Sequence, residues 1–138
     1  MIIDMNYIAI LIASIAQFAF GGFWFTVLFK NLWAKIHNYD KKSKEELKKI
    51  QPGMPLVLFI KFLSIIIMTI VLSLFILNLP FASPYFVALI IWLGFVLPVE
   101  ISAVIFGDTE KKWMLKKILV TSVYMLISLM LAVCILNF

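Results

Sequence analysis

Apolar and charged residues segregate along this chain into long blocks. Tyr7 to Phe29 holds no charged side chain, and Lys30 to Gly53 is polar, with seven lysines, Asp40, Glu45 and Glu46. A second apolar block runs from Met54 to Leu79, broken only by Lys61. Asn78 to Pro84 contains two prolines and suits a tight, uncharged turn. The third block, Tyr85 to Phe106, carries Pro98 and Glu100. Gly107 to Lys117 is short and charged, and Ile118 to Phe138 is apolar again. A hydrocarbon core of roughly 30 Å takes about 20 helical residues. The blocks therefore predict four membrane-spanning helices, at about 7–29, 54–79, 85–106 and 114–138, joined by loops 30–53 and 107–113. Barrel strands would alternate over about ten residues, which these blocks do not. The expected fold is all-α, a polytopic integral membrane protein with a single four-helix domain over 1–138.

Composition strengthens this picture. The chain is 64% hydrophobic and 14% charged, whereas a soluble domain is about half apolar and about a quarter charged. Lipid is the expected solvent for most of that surface. The formal charge of +5 would suggest nucleic acid in a soluble protein. Here every basic residue is a lysine, and all but Lys61 lie in two connections, seven in one and four in the other. Positive loops stay in the cytoplasm, so both loops are assigned there and both termini outside. No nucleic-acid partner is expected. Asp4, and the lack of any lysine before Lys30, argue against a cleaved signal peptide. Trp33 and Trp113 would mark the inner interface and Tyr7 and Tyr85 the outer one. Trp24 falls slightly inside the inner border, and Trp92 lies deeper, where it would pack between helices.

In the first loop, Leu32, Trp33 and Ile36 can extend the first helix along the membrane surface. Ser43 and Glu46 form a capping-box pattern, followed by an apolar edge at Leu47 and Ile50. The lysines there either touch anionic headgroups or serve only as a topological signal. His37 has no second metal ligand nearby and reads as a solvated side chain.

Candidate chemistry is sparse. Ala9, Ala13, Gln17 and Gly21 recur every fourth residue and share a helical face. Such a stripe allows close helix approach, with Gln17 bonding across the contact, or it lines a path. Thr121, Tyr124 and Ser128 share a face of the last helix. Gln17, Tyr124 and Ser128 are thus candidates for a polar interior face. Lys61 and Glu100 are charges set within spans, of opposite sign, at depths of roughly 9 and 10 Å from the inner border. An intramembrane ion pair between them would offset part of the roughly 3 kcal/mol that a charge costs at mid-membrane. Lys61 snorkelling alone to the headgroups is the alternative. Pro98 cannot donate to the carbonyl of Gly94 and is expected to bend the third span.

With one histidine and one cysteine, Cys134, there is no disulfide and no metal-ligand spacing. No phosphate loop or nucleophile elbow occurs either, so no enzymatic activity, cofactor or metal is expected. Two stretches, Gly21 to Lys35 (GGFWFTVLFKNLWAK) and Trp92 to Gly107 (WLGFVLPVEISAVIFG), followed by Trp113 and Tyr124, resemble the bacterial family called Domain of Unknown Function 1761. The resemblance covers nearly the whole chain. It departs at Phe25 and Val27, where the family favours tyrosine and proline, and at Glu100, where an uncharged polar residue is expected. It implies a four-helix membrane architecture and no particular activity. The expected role is structural or accessory, as a multi-pass protein of the bacterial cytoplasmic (inner) membrane with the lipid bilayer as its partner. The alternative is a small transporter or channel with Glu100 as a protonatable site. Four short spans enclose little volume, so that alternative would call for a homo-oligomer.

Overall fold

The structure is a computed structural model describing residues 5–137, without the side chains at 40, 47, 50 and 51. The apolar edge expected at Leu47 and Ile50, and residue 138 of the last span, lie outside what is described. Among the described residues there are helices and no strands. Helix α1 (Tyr7–Phe23) continues through a π-turn (Trp24–Leu28) and is followed by α2 (Lys30–Ile36), α3 (Lys44–Ile50) and α4 (Met54–Asn78). Helix α5 (Pro84–Ile91) passes through a second π-turn (Trp92–Val96) into α6 (Leu97–Ile105), and α7 (Lys111–Leu136) follows. Four stretches are long and apolar enough to cross a membrane: Tyr7–Leu28, Met54–Asn78, Pro84–Ile105 and Lys111–Leu136.

Local chemistry sets the ends. Asn6 Oδ1 accepts from the Ala9 amide at 3.1 Å and caps α1. Proline stands within the first two positions of both α4 and α5, where its missing N–H costs nothing. The expected capping box is present in half: the Ser43 hydroxyl accepts from the Glu46 amide at 3.2 Å, at the start of α3. Helix α7 begins at Lys111 rather than 114, because lysines propagate a helix well. Lys112 and Lys116 then lie over the ring of Trp113, at 5.7 and 5.1 Å.

The spans run antiparallel, and α7 is central: α1 packs along it on one side, and α5 and α6 on another. Helix α4 packs mainly on α1 and meets α5 only lightly. Small residues let these backbones approach: Ala13, Ala88 and Ala132 are fully buried, in a core with Leu72, Leu129 and Val133. The outward faces are apolar, with Ile8, Ile67 and Phe95 at 73, 62 and 70% exposure. Where α4 and the third span part, an apolar cleft of about 380 Å³ opens, lined by Met68, Val71, Leu72, Phe75, Ile91 and Phe95.

Candidate functional site

Gln17 sits where α1, α4 and α7 meet. Its Nε2 donates to Thr69 Oγ1 at 2.8 Å and to the Ala13 carbonyl at 3.2 Å. Its Oε1 accepts from Ser128 Oγ at 3.0 Å. The Thr69 hydroxyl donates in turn to the Ile65 carbonyl at 2.7 Å. Both amide protons and the amide oxygen of Gln17 are therefore used, and each hydroxyl donates once. The three side chains are 3, 1 and 2% exposed, so no water reaches them. An unpaired polar group there would cost roughly 1–3 kcal/mol, while each interhelical bond adds on average about 0.6 kcal/mol in a membrane. The network thus fixes the rotation and height of three helices more than it strengthens their association. Ala9 and Ala13 flank Gln17 and are buried, so the fourfold stripe serves close packing.

One turn toward the lysine-rich end, Tyr124 carries the second half of the interior. Its ring stacks on Phe20 at 5.8 Å and meets the edge of Phe25 at 5.1 Å. Its hydroxyl lies so close to Gly21 that a Cβ there would stand 2.8 Å away, which is why the stripe ends in glycine. Thr121, expected on the same face, donates to the Lys117 carbonyl of its own helix at 2.8 Å.

Lys61 and Glu100 do not form the expected ion pair. Among the described residues, the ion pair within 4.0 Å is Lys112–Glu110, at 3.4 Å. Lys61 Nζ instead lies 5.8 Å from the centre of the Tyr124 ring, beside a cleft of about 320 Å³ that Phe18, Gly21, Phe25 and Leu58 also line. Glu100 is half-buried on α6, within coulombic reach of both Lys61 and Tyr124. Their depths agree, but α4 packs on α1 and turns Lys61 toward α7 rather than toward α6.

Pro98 acts through the second π-turn. The Leu97 amide bonds the Trp92 carbonyl, five residues back, so the helix widens one turn before the proline that cannot donate. The first π-turn closes in the same way, Phe29 N–H to Trp24 carbonyl at 3.0 Å, with no proline near. Both turns begin at a tryptophan whose indole N–H donates to a carbonyl of α7: Trp24 to Val120 at 3.1 Å, and Trp92 to Ser122 at 2.7 Å. Trp92 thus packs between helices, and the two rings grip α7 at neighbouring levels.

At the lysine-rich end, His37 is half-buried rather than solvated. Its ring lies against Trp33 at 4.3 Å and stacks on Tyr39 at 5.6 Å. Burial, then the charges of Lys117 and Lys42, hold its pKa below the usual histidine value. No group of three or more metal-ligating side chains converges among the described residues.

A family model described as "Protein of unknown function (DUF1761)" matches residues 8–137. The chain belongs to the DUF1761 family. No curated protein and no solved structure matches it. The two stretches that carry the DUF1761 resemblance are those that hold the π-turns and the paired tryptophans. In this DUF1761 chain Gln17 and Ser128, two of the expected interior residues, bond each other directly, and Tyr124 closes the next layer. Thr69 is the member that spacing missed. It is one of three hydroxyl residues in α4, with Ser64 and Ser73, and nothing local marks which of the three faces α1.

Proposed function

We propose that this DUF1761 protein is a structural or accessory component of the bacterial inner membrane, acting through helix contacts and its basic end rather than by moving a solute. In this reading the lysine-rich end lies in the cytoplasm and both termini outside, as the positive-inside bias requires. The observation that carries the proposal is the closure of the polar interior. Gln17, Thr69 and Ser128 spend their donors on one another and on carbonyls of their own helices at 1–3% exposure, so these three offer no free donor to a permeant. Two of the clefts, of about 380 and 320 Å³, are walled almost wholly by apolar surface.

One observation favours the transport alternative: Glu100 is half-buried with neither a hydrogen bond nor an ion pair among the described residues. Reconstituted vesicles separate the two readings. The structural role predicts proton, sodium and potassium fluxes equal to those of empty vesicles, and complementation of a deletion strain by Glu100→Gln as good as by the parent chain. A flux that is present in the parent and absent in Glu100→Gln would overturn it.

A further inference from the structure

The polar cleft at the lysine-rich end is built unlike the others. It holds about 320 Å³ between Ile36, His37 and Asn38, at the end of α2, Asp108 and Thr109, which precede α7, and Lys117 within α7. Three features point inward at an absent partner. His37 Nε2 is buried and has no protein hydrogen-bond partner among the described residues. Its ring cannot swing away to find one, being held between Trp33 and Tyr39 at 4.3 and 5.6 Å. Lys117 is half-buried, its ammonium fixed by Thr109 Oγ1 at 3.2 Å and by the face of Trp33 at 5.9 Å. It makes no ion pair with Asp108, an exposed carboxylate that also lines the cleft and opposes an anion there. Lys42 flanks the site from the ring of Tyr39, at 5.0 Å. Asn38, the left-handed residue at φ 59°, turns the chain so that His37 faces α7.

A fixed ammonium, a hydroxyl and an imidazole in its Nε2–H tautomer around one small space form a donor set for a tetrahedral oxyanion. The geometry points to a phosphate-binding site formed by His37, Thr109 and Lys117. The phosphate belongs either to a phospholipid headgroup, which the position at the end of the spans beside Trp33 and Trp113 suits, or to a soluble phosphate ester. Burial first, and then the positive charges of Lys117 and Lys42, hold the His37 pKa below its usual value, and an anion in the cleft would offset the second of these. This inference does not depend on the structural role proposed above, since a transporter would keep the same cleft.

The test uses the full chain in a non-ionic detergent. Retained lipid is counted by native mass spectrometry after adding dioleoyl phosphatidylglycerol, dioleoyl phosphatidylethanolamine or, as the headgroup-free control, dioleoylglycerol. Inorganic phosphate is titrated separately by calorimetry. Retention of one phospholipid but not of dioleoylglycerol is expected, weakened about tenfold or more in Lys117→Gln and in His37→Phe and unchanged in Lys49→Gln, an exposed lysine away from the cleft. Inorganic phosphate binding with the same dependence on Lys117, and no phospholipid retained, assigns the site to a soluble ester. Equal weakening by Lys49→Gln, retention of dioleoylglycerol as strong as that of phospholipid, or binding of neither lipid nor phosphate would overturn the proposal. Should Lys117→Gln not fold, as a thermal melt would show, His37→Phe and Thr109→Val carry the same comparison.

Discussion

Two polar regions of this molecule use similar side chains to opposite ends. Around Gln17 an amide and two hydroxyls meet in the middle of the bundle, and every donor finds an acceptor inside the protein. Around His37 an imidazole, a hydroxyl and an ammonium meet at the lysine-rich end, and the imidazole Nε2 finds none. The first region has no space, since its members are 1–3% exposed, whereas the second keeps about 320 Å³ open. A polar group left unpaired by the protein beside a polar cleft is satisfied by water or by a ligand that displaces it. The interior set therefore belongs to folding and the cleft set to binding.

That division can be broken by substitution, and the interior should respond most. Gly21→Val places branched carbon against the Tyr124 hydroxyl, where a Cβ already stands at 2.8 Å. Overpacking of this kind costs about 1–3 kcal/mol, read as lost resistance to denaturation in mixed micelles. Gln17→Leu should cost about 1–2 kcal/mol, because Thr69 and Ser128 lose their shared partner in a dry environment. A double-mutant cycle of Gln17→Leu with Ser128→Ala should show a coupling of about 0.6 kcal/mol, and additivity would mean that the bond across α1 and α7 carries no weight. Lys117→Gln, by contrast, should leave stability within about 0.5 kcal/mol of the parent in lipid-free detergent. A large loss there would make the cleft another piece of the core.

The smallest effect is a pH dependence. The pKa of His37 is lower in the folded protein than the 6.5 of a free side chain, so the unfolded chain takes up a proton first. Its contribution to stability is complete above pH 6.5 and is lost as pH falls through that value toward the folded pKa. His37→Phe should flatten this segment of a stability–pH curve measured between about pH 5 and 8.

Hydropathy alone was enough to read the four spans, because each block of apolar residues must be helical to cross lipid. Fourfold spacing likewise picked out Gln17 and its stripe, since that periodicity is a property of one helix. What spacing could not supply was the rotation of one helix about its axis relative to another. Counting residues put Lys61 and Glu100 at one depth, yet α4 presents Lys61 to Tyr124. The same gap hid Thr69. Pro98 announced an irregularity, but its form, a widened turn closed by Leu97 and Trp92, answers to packing against α7. Trp24 begins an equivalent turn with no breaker beside it. His37 read as solvated because, although Trp33 and Tyr39 hold its ring from nearby in the chain, the facing wall of Lys117 and Thr109 comes from far along it.

The central place of α7 has a consequence for how the molecule is made. Of the four spans it is the last to leave the ribosome, yet it supplies the carbonyls for Trp24 and Trp92 and the hydroxyl for Gln17. Until it arrives, α1 and α4 pack chiefly on each other, through Gln17 and Thr69, and the Trp92 indole lacks the acceptor that it has in the folded protein. The complete set of bonds between the helices therefore requires the fourth span, whatever contacts the first three make before it.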